Sequence, residues 1–158
     1  MIIVALDLGT KTGWCLCDTN EAWWHSGTWD LSGSRYDSHG MRYVRFRTHL
    51  KELLANANSP GLVAYEEVRR HLGVDASHVY GGMIAILQEV CETEVRKVPY
   101  LGIPVGTVKK TACGKGNANK ADMMQAARKR WPGWEPVDDN EADARWVAVA
   151  AAREVSDE

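Results

Sequence analysis

Apolar and polar positions along the chain follow two different periods. Met1 to Leu8, MIIVALDL, is an apolar run broken only by Asp7, and it predicts a buried strand. Gly9 and Gly13 bracket a turn. Trp14-Cys15-Leu16-Cys17 follows as a second strand with both cysteines on one face. Glu21 to Leu31, with Trp23, Trp24 and Trp29, reads as a third, so the segment predicts an antiparallel meander. The period then lengthens. Met41 to Asn56 sets Met41, Val44, Leu50, Leu53 and Leu54 at helical spacing, with Arg42, Arg45, Arg47 and Lys51 on the opposite face. Asn58-Ser59-Pro60-Gly61 ends that helix, and Leu62-Val63-Ala64-Tyr65 is a short buried strand running into Glu66-Glu67. Ser77 is a suitable N-cap for a helix 77–95. The apolar residues of that helix fan wider than the stripe of a one-sided helix. The width fits a helix buried deep in its own domain, or one that shares its apolar surface with a partner. Val98 to Val105 predicts another strand, and a glycine-rich basic loop follows it. Two more helices are expected, near Ala118–Trp131 and from Asp138 to Glu154. The order β-β-β-α-β-α-β-α-α predicts an α/β domain with a mixed sheet and helices packed against it.

The length of 158 residues suits one domain, residues 1–158, with a core that needs no metal or disulfide staple. Hydrophobic residues at 45% and charged residues at 25% exclude a disordered or fibrous chain. No apolar run approaches a membrane span, and the N-terminus lacks the basic start of a signal peptide. Cys15, Cys17, Cys91 and Cys113 show no CxxC spacing and read as reduced thiols of a cytoplasmic protein.

The net charge of −2 conceals an uneven distribution. Val105 to Arg130 carries seven cations against Asp122 alone, whereas Glu135 to Glu158 carries eight acids against Arg145 and Arg153. Two solvated helices of opposite charge would show this pattern, and so would a basic binding face beside an acidic metal site.

Candidate chemistry sits at the ends of the predicted elements, where open sheets place their sites. Asp7 closes the first strand and Glu66 the fourth; Asp139, Asn140 and Asp143 lie on the last helix, with 139 and 143, or 140 and 143, sharing a face. Converging carboxylates repel and call for a cation, and an all-oxygen set suits Mg²⁺ or Mn²⁺. Two such ions can activate a water and stabilise the leaving oxygen of a phosphodiester. Structural roles compete: Asp7 as organiser of its hairpin, Glu66 as ion-pair partner of Arg69 or Arg70, and Asp138 with Glu141 as a capping box. The segment from Val108 to Lys120 lacks the GxxxxGK[ST] of a P-loop. Its glycines and Lys109, Lys110, Lys115 and Lys120 suit a DNA backbone, or else a plain connection capped by Asn117. Seven tryptophans stand beside one phenylalanine; most should be core, with one or two rings free to stack on unpaired bases.

Taken together, these segments resemble the RuvC family of Holliday-junction resolvases, within the RNase H-like superfamily, and in wording most resemble its small bacteriophage-type members. The matching pieces are Asp7-Leu8-Gly9 with Gly13, Tyr65-Glu66-Glu67-Val68, Val108-Lys109 through Gly114 to Lys120, and Asn140-Glu141-Ala142-Asp143-Ala144. They occur in family order across nearly the whole chain.

The resemblance implies an RNase H-like fold, a five-stranded mixed sheet with helices on both faces. It implies a structure-selective, Mg²⁺-dependent endodeoxyribonuclease (Mn²⁺ substituting) that resolves four-way and branched DNA with two ions per active site. Asp7, Glu66 and Asp143 match the family's metal carboxylates, Lys109 and Lys120 match its basic residues near the scissile phosphate, and helix 77–95 matches its homodimer interface. Where the family places Asp or His three residues before the last Asp, this chain has Asn140, so either Asn140 or a rotated Asp139 serves as fourth ligand. The expected compartment is the cytoplasm, that of the host if the chain is phage-encoded. Two other readings remain: an RNase H-like nuclease acting on RNA or RNA–DNA hybrid, and a junction-binding module that does not cleave. An actin-like ATPase is excluded by length, since that fold needs two such domains.

Overall fold

The computed structural model describes residues 1–158 except 21, 72, 95, 157 and 158, so the expected element limits at Glu21 and Val95 lie outside the described residues. The chain runs through β1 (Ile2–Asp7), β2 (Lys11–Asp18), β3 (Trp24–Asp30), α1 (Met41–Asn56), β4 (Leu62–Glu67), α2 (Val74–Thr93), β5 (Tyr100–Pro104), α3 (Val105–Cys113), α4 (Lys120–Arg130) and α5 (Asp139–Ser156). The five strands form one sheet in the order β3-β2-β1-β4-β5. The meander β1-β2-β3 is antiparallel, and β1-β4 and β4-β5 are parallel, which gives the expected mixed sheet.

Alternation along the central strands assigns the two faces. Ile3, Ala5, Leu62 and Ala64 point to one side, where α3, α4 and α5 bring Val108, Met123, Ala127 and Val147. Val4, Leu6 and Val63 point to the other, where α1 and α2 bring Phe46, Leu50, Met83 and Leu87. Helix α5 is buried on nearly every side, and its alanines 142, 144, 148, 150, 151 and 152 let its axis lie close to the sheet. In α2, Met83, Leu87, Val90 and Cys91 are buried while Val79, Ile84 and Ile86 stay half-buried on the outer flank.

The structure corrects four local expectations. Strand β2 begins at Lys11, so Gly13 is a strand residue paired with Asp7 rather than the end of a turn. Helix α2 begins at Val74 after an uncapped Gly73, with Ser77 already inside its first turn. The supposed loop after β5 is helix α3. Pro104 fixes its entry, buried Val108 anchors it, and Gly114, in the left-handed region at φ 74°, ends it. The cap of α4 is Asn119 and not Asn117: Asn119 accepts from the Asp122 amide, and Asp122 accepts from the Asn119 amide.

Candidate active site

Strand parity decides which carboxylates can meet. Asp7 follows Ile3 and Ala5 on the α5 side of β1, and Glu66 follows Leu62 and Ala64 on the same side of β4. The parallel register, Leu6 beside Tyr65, carries on to set Asp7 next to Glu66. Glu67 points the other way and pairs with Arg69 at 3.1 Å, so the ion-pair role weighed for Glu66 belongs to its neighbour.

Helix α5 supplies the remaining acids. Asp138 precedes it as cap, accepting from the Glu141 amide at 3.0 Å and from Thr28 Oγ1 at 2.6 Å. Asp139 and Asp143, one turn apart, then face Asp7. Burial pushes the Asp7 carboxyl well above the usual carboxylate range, and the charges of Glu66, Asp143 and Asp139 push it further. Burial, with Glu66 and Asp139, raises Asp143 to about 7. Glu66 is raised by burial, against the pull of Lys109. The Asn140 side chain bonds to Asp138 instead, so of the two candidates for fourth ligand it is Asp139 that belongs to the acidic cluster.

Two of the four predicted lysines reach this cluster. Lys120 Nζ donates to Asp139 Oδ2 at 2.6 Å; that bond, with the charges of Asp143 and Asp7, raises its pKa. Lys109 on α3 lies close enough to oppose the upward shifts of Glu66 and Asp143. Lys115 pairs with Asp122 at 3.1 Å, beside the start of α4, and Lys110 is exposed on α3.

Among the described residues no three His, Cys, Asp or Glu side chains form a finished metal cage. The acids form an open cluster in which the Lys120 ammonium stands as cation. A set of oxygen donors that raise one another's pKa and draw in a lysine fits a hard divalent ion such as Mg²⁺ or Mn²⁺.

Sequence reasoning missed what holds α5 in place. Glu141, 3% exposed, accepts from Ser26 Oγ at 2.6 Å and from the Val137 amide at 2.6 Å. Ser26 Oγ in turn accepts from Arg145 Nε at 2.8 Å, so one hydroxyl joins a buried carboxylate to a buried guanidinium. That guanidinium lies 3.7 Å from the Trp134 ring centre, with Trp131 at 5.3 Å and Trp24 at 5.5 Å. The abundance of tryptophan was the only trace of this cage in the sequence. None of the seven indoles is exposed, which corrects the expectation of a free tryptophan for base stacking.

Fold and acidic centre together define an RNase H-like α/β domain with carboxylates converging at the end of its first strand. Within that class the chain shares the fold of RuvC. It is similar to T. thermophilus RuvC in complex with a Holliday junction substrate, with a TM-score of 0.81, 22% identity, and coverage of 98% of this chain and 94% of that one. A further Thermus thermophilus RuvC structure matches with a TM-score of 0.70, 20% identity, and coverage of 99% and 97%. The yeast mitochondrial Holliday junction resolvase Ydc2 matches with a TM-score of 0.65, 16% identity, and coverage of 96% and 77%. No family model and no curated protein matches the sequence.

Proposed function

We propose that this chain is a single nuclease domain that resolves four-way and branched DNA by metal-dependent phosphodiester hydrolysis. The observation that supports it most directly is the meeting of Asp7, Glu66, Asp139 and Asp143 at one end of the central strands, with Lys109 and Lys120 at their border. Such a site pairs an acidic centre for cations with a basic border for phosphate. The fold shared with a RuvC bound to a Holliday junction substrate and with the Holliday junction resolvase Ydc2 agrees with this reading.

Asp7, central to the cluster, and Glu66, Asp143 and Asp139 around it would hold Mg²⁺ or Mn²⁺. Two such ions supply an activated water and neutralise charge at the scissile phosphate. Lys109 and Lys120 hold the backbone phosphate and offset charge that develops on it. Release of Asp139 by Lys120 frees the carboxylate and the ammonium for these two tasks. The arginine face of α1 extends the electrostatic track, although Arg45 and Arg47 are engaged with Asp37 and Glu89. The half-buried flank of α2 supports a homodimer, whose two-fold axis would present two sites to a two-fold junction. The four cysteines are free thiols, in keeping with the cytoplasm as working compartment.

A labelled four-way junction, a linear duplex and an RNA–DNA hybrid, each incubated with Mg²⁺, Mn²⁺ or EDTA, test the proposal. Paired nicks in the junction, lost in EDTA and in Asp7→Asn, are the expected result. Cleavage of the hybrid alone, or a junction bound and never cut, would overturn it.

A further inference from the structure

The connection between β3 and α1 begins at the same end of the strands as Asp7. Lys11 pairs with Asp30, and the Leu31 amide donates to the Thr10 carbonyl at 2.8 Å, so the loop starts against the turn that follows β1. The loop is tied internally along its length. Ser32 bonds to Asp30 through both its amide and its hydroxyl. Asp37 accepts from the Ser34 amide at 2.9 Å and from Arg45 Nη2 at 2.7 Å, and Ser34 Oγ accepts from the Tyr36 amide at 3.2 Å. Gly33 packs so closely on Asp37 that a Cβ there would stand 2.8 Å from the carboxylate.

Amid these ties Tyr36 is 81% exposed. The polar partner of its hydroxyl among the described residues is its neighbour Arg35, which donates to it at 2.6 Å and lies 4.9 Å from the ring centre. The ring supports nothing in the fold, yet the backbone beneath it is fixed. A loop tied in this way, holding a free aromatic face and a cation, is suited to a planar, anionic partner, and the acid nearest the ring, Asp37, is matched by Arg45. With all seven indoles at least half-buried, Tyr36 is the exposed aromatic at this end of the strands.

We infer that Tyr36 and Arg35 form a contact for single-stranded DNA at the branch point, the ring stacking on an unpaired base and the guanidinium holding an adjoining phosphate. The inference rests on the junction-nuclease reading above. Asp30 lies two strands across from Asp7, a lateral offset of about 10 Å.

The test measures binding of a four-way junction in Ca²⁺ over a range of salt, alongside linear duplex. The junction carries 2-aminopurine at successive positions near the branch. Tyr36→Ala should weaken junction binding about tenfold to a hundredfold with an unchanged salt slope, because stacking carries no charge. Tyr36→Phe should bind as wild type. Arg35→Gln should lower the salt slope by about one. Wild type and Tyr36→Phe should quench 2-aminopurine at one of these positions, and Tyr36→Ala should not. Junction binding by Tyr36→Ala equal to wild type, or equal loss on junction and duplex, would overturn this inference alone. Failure of the wild type to bind the junction would overturn the nuclease reading and this inference with it.

Discussion

Gly13 leaves room for the backbone of Asn140: a Cβ on Gly13 would stand 1.8 Å from the Asn140 carbonyl oxygen and 2.4 Å from its carbon. Gly13 is also the cross-strand partner of Asp7. The first turn of α5 can therefore settle on the sheet beside Asp7, bringing Asp139 and Asp143 within electrostatic reach of it.

Gly13→Ala should push that turn off the sheet. Overpacking of this kind destabilises by about 1–3 kcal/mol. Cleavage should fall much further than stability suggests, because the acids on α5 shift relative to Asp7. Thermal unfolding and junction cleavage on the same variant check this, at a temperature where it remains folded.

Asp7→Asn should lower cleavage by about 10²–10³-fold or more, the scale of losing a group that stabilises transition-state charge. Without divalent ions the same variant should melt at a higher temperature than wild type. It removes a carboxyl that burial and three neighbouring acids disfavour as an anion. A lower melting temperature would contradict the electrostatic account of the cluster.

Stability should also depend on pH in a definite direction. Asp143 is raised from 3.8 to about 7 in the folded chain. Between those values the folded state holds a proton that the unfolded state has lost, so stability falls as pH rises. Asp7 and Glu66 act in the same sense. Chemical denaturation in EDTA at pH 5 and pH 8 should show the loss, and Mg²⁺ should restore more stability at pH 8 than at pH 5.

Arg145→Met should lower stability by at least about 2 kcal/mol, through loss of the cation held over Trp134 and of the bond to Ser26. Arg145→Lys should not rescue it, since an ammonium cannot reproduce the planar stack. Denaturant titrations of the three proteins measure both effects.

Much of this was legible because strand parity and helix spacing are local rules. The apolar run ending in Asp7, the Tyr65-Glu66 strand end and the i, i+4 pair Asp139 and Asp143 are each visible within a few residues. Other features depended on tertiary contacts. Helix α3 carries Gly106 and two threonines, poor helix formers, and is held by the burial of Val108. Whether Asp139 or Asn140 joins the acids turned on the Asn140–Asp138 bond, a rotamer choice that spacing does not encode. The union of Ser26 with Glu141 and Arg145 links positions more than a hundred residues apart, which no periodicity reveals.

The burial of α5 on nearly every side bears on the order of assembly. An alanine-rich helix enclosed by the sheet, α3 and α4 has little surface of its own on which to persist alone. It should become stable only when β1, β2 and β4 are already paired, a long-range closure that comes late in folding. Asp139 and Asp143 arrive with it. Partly folded chains, however compact, then hold Asp7 and Glu66 without their partners, and the proposed cleavage of DNA should emerge only together with the native state.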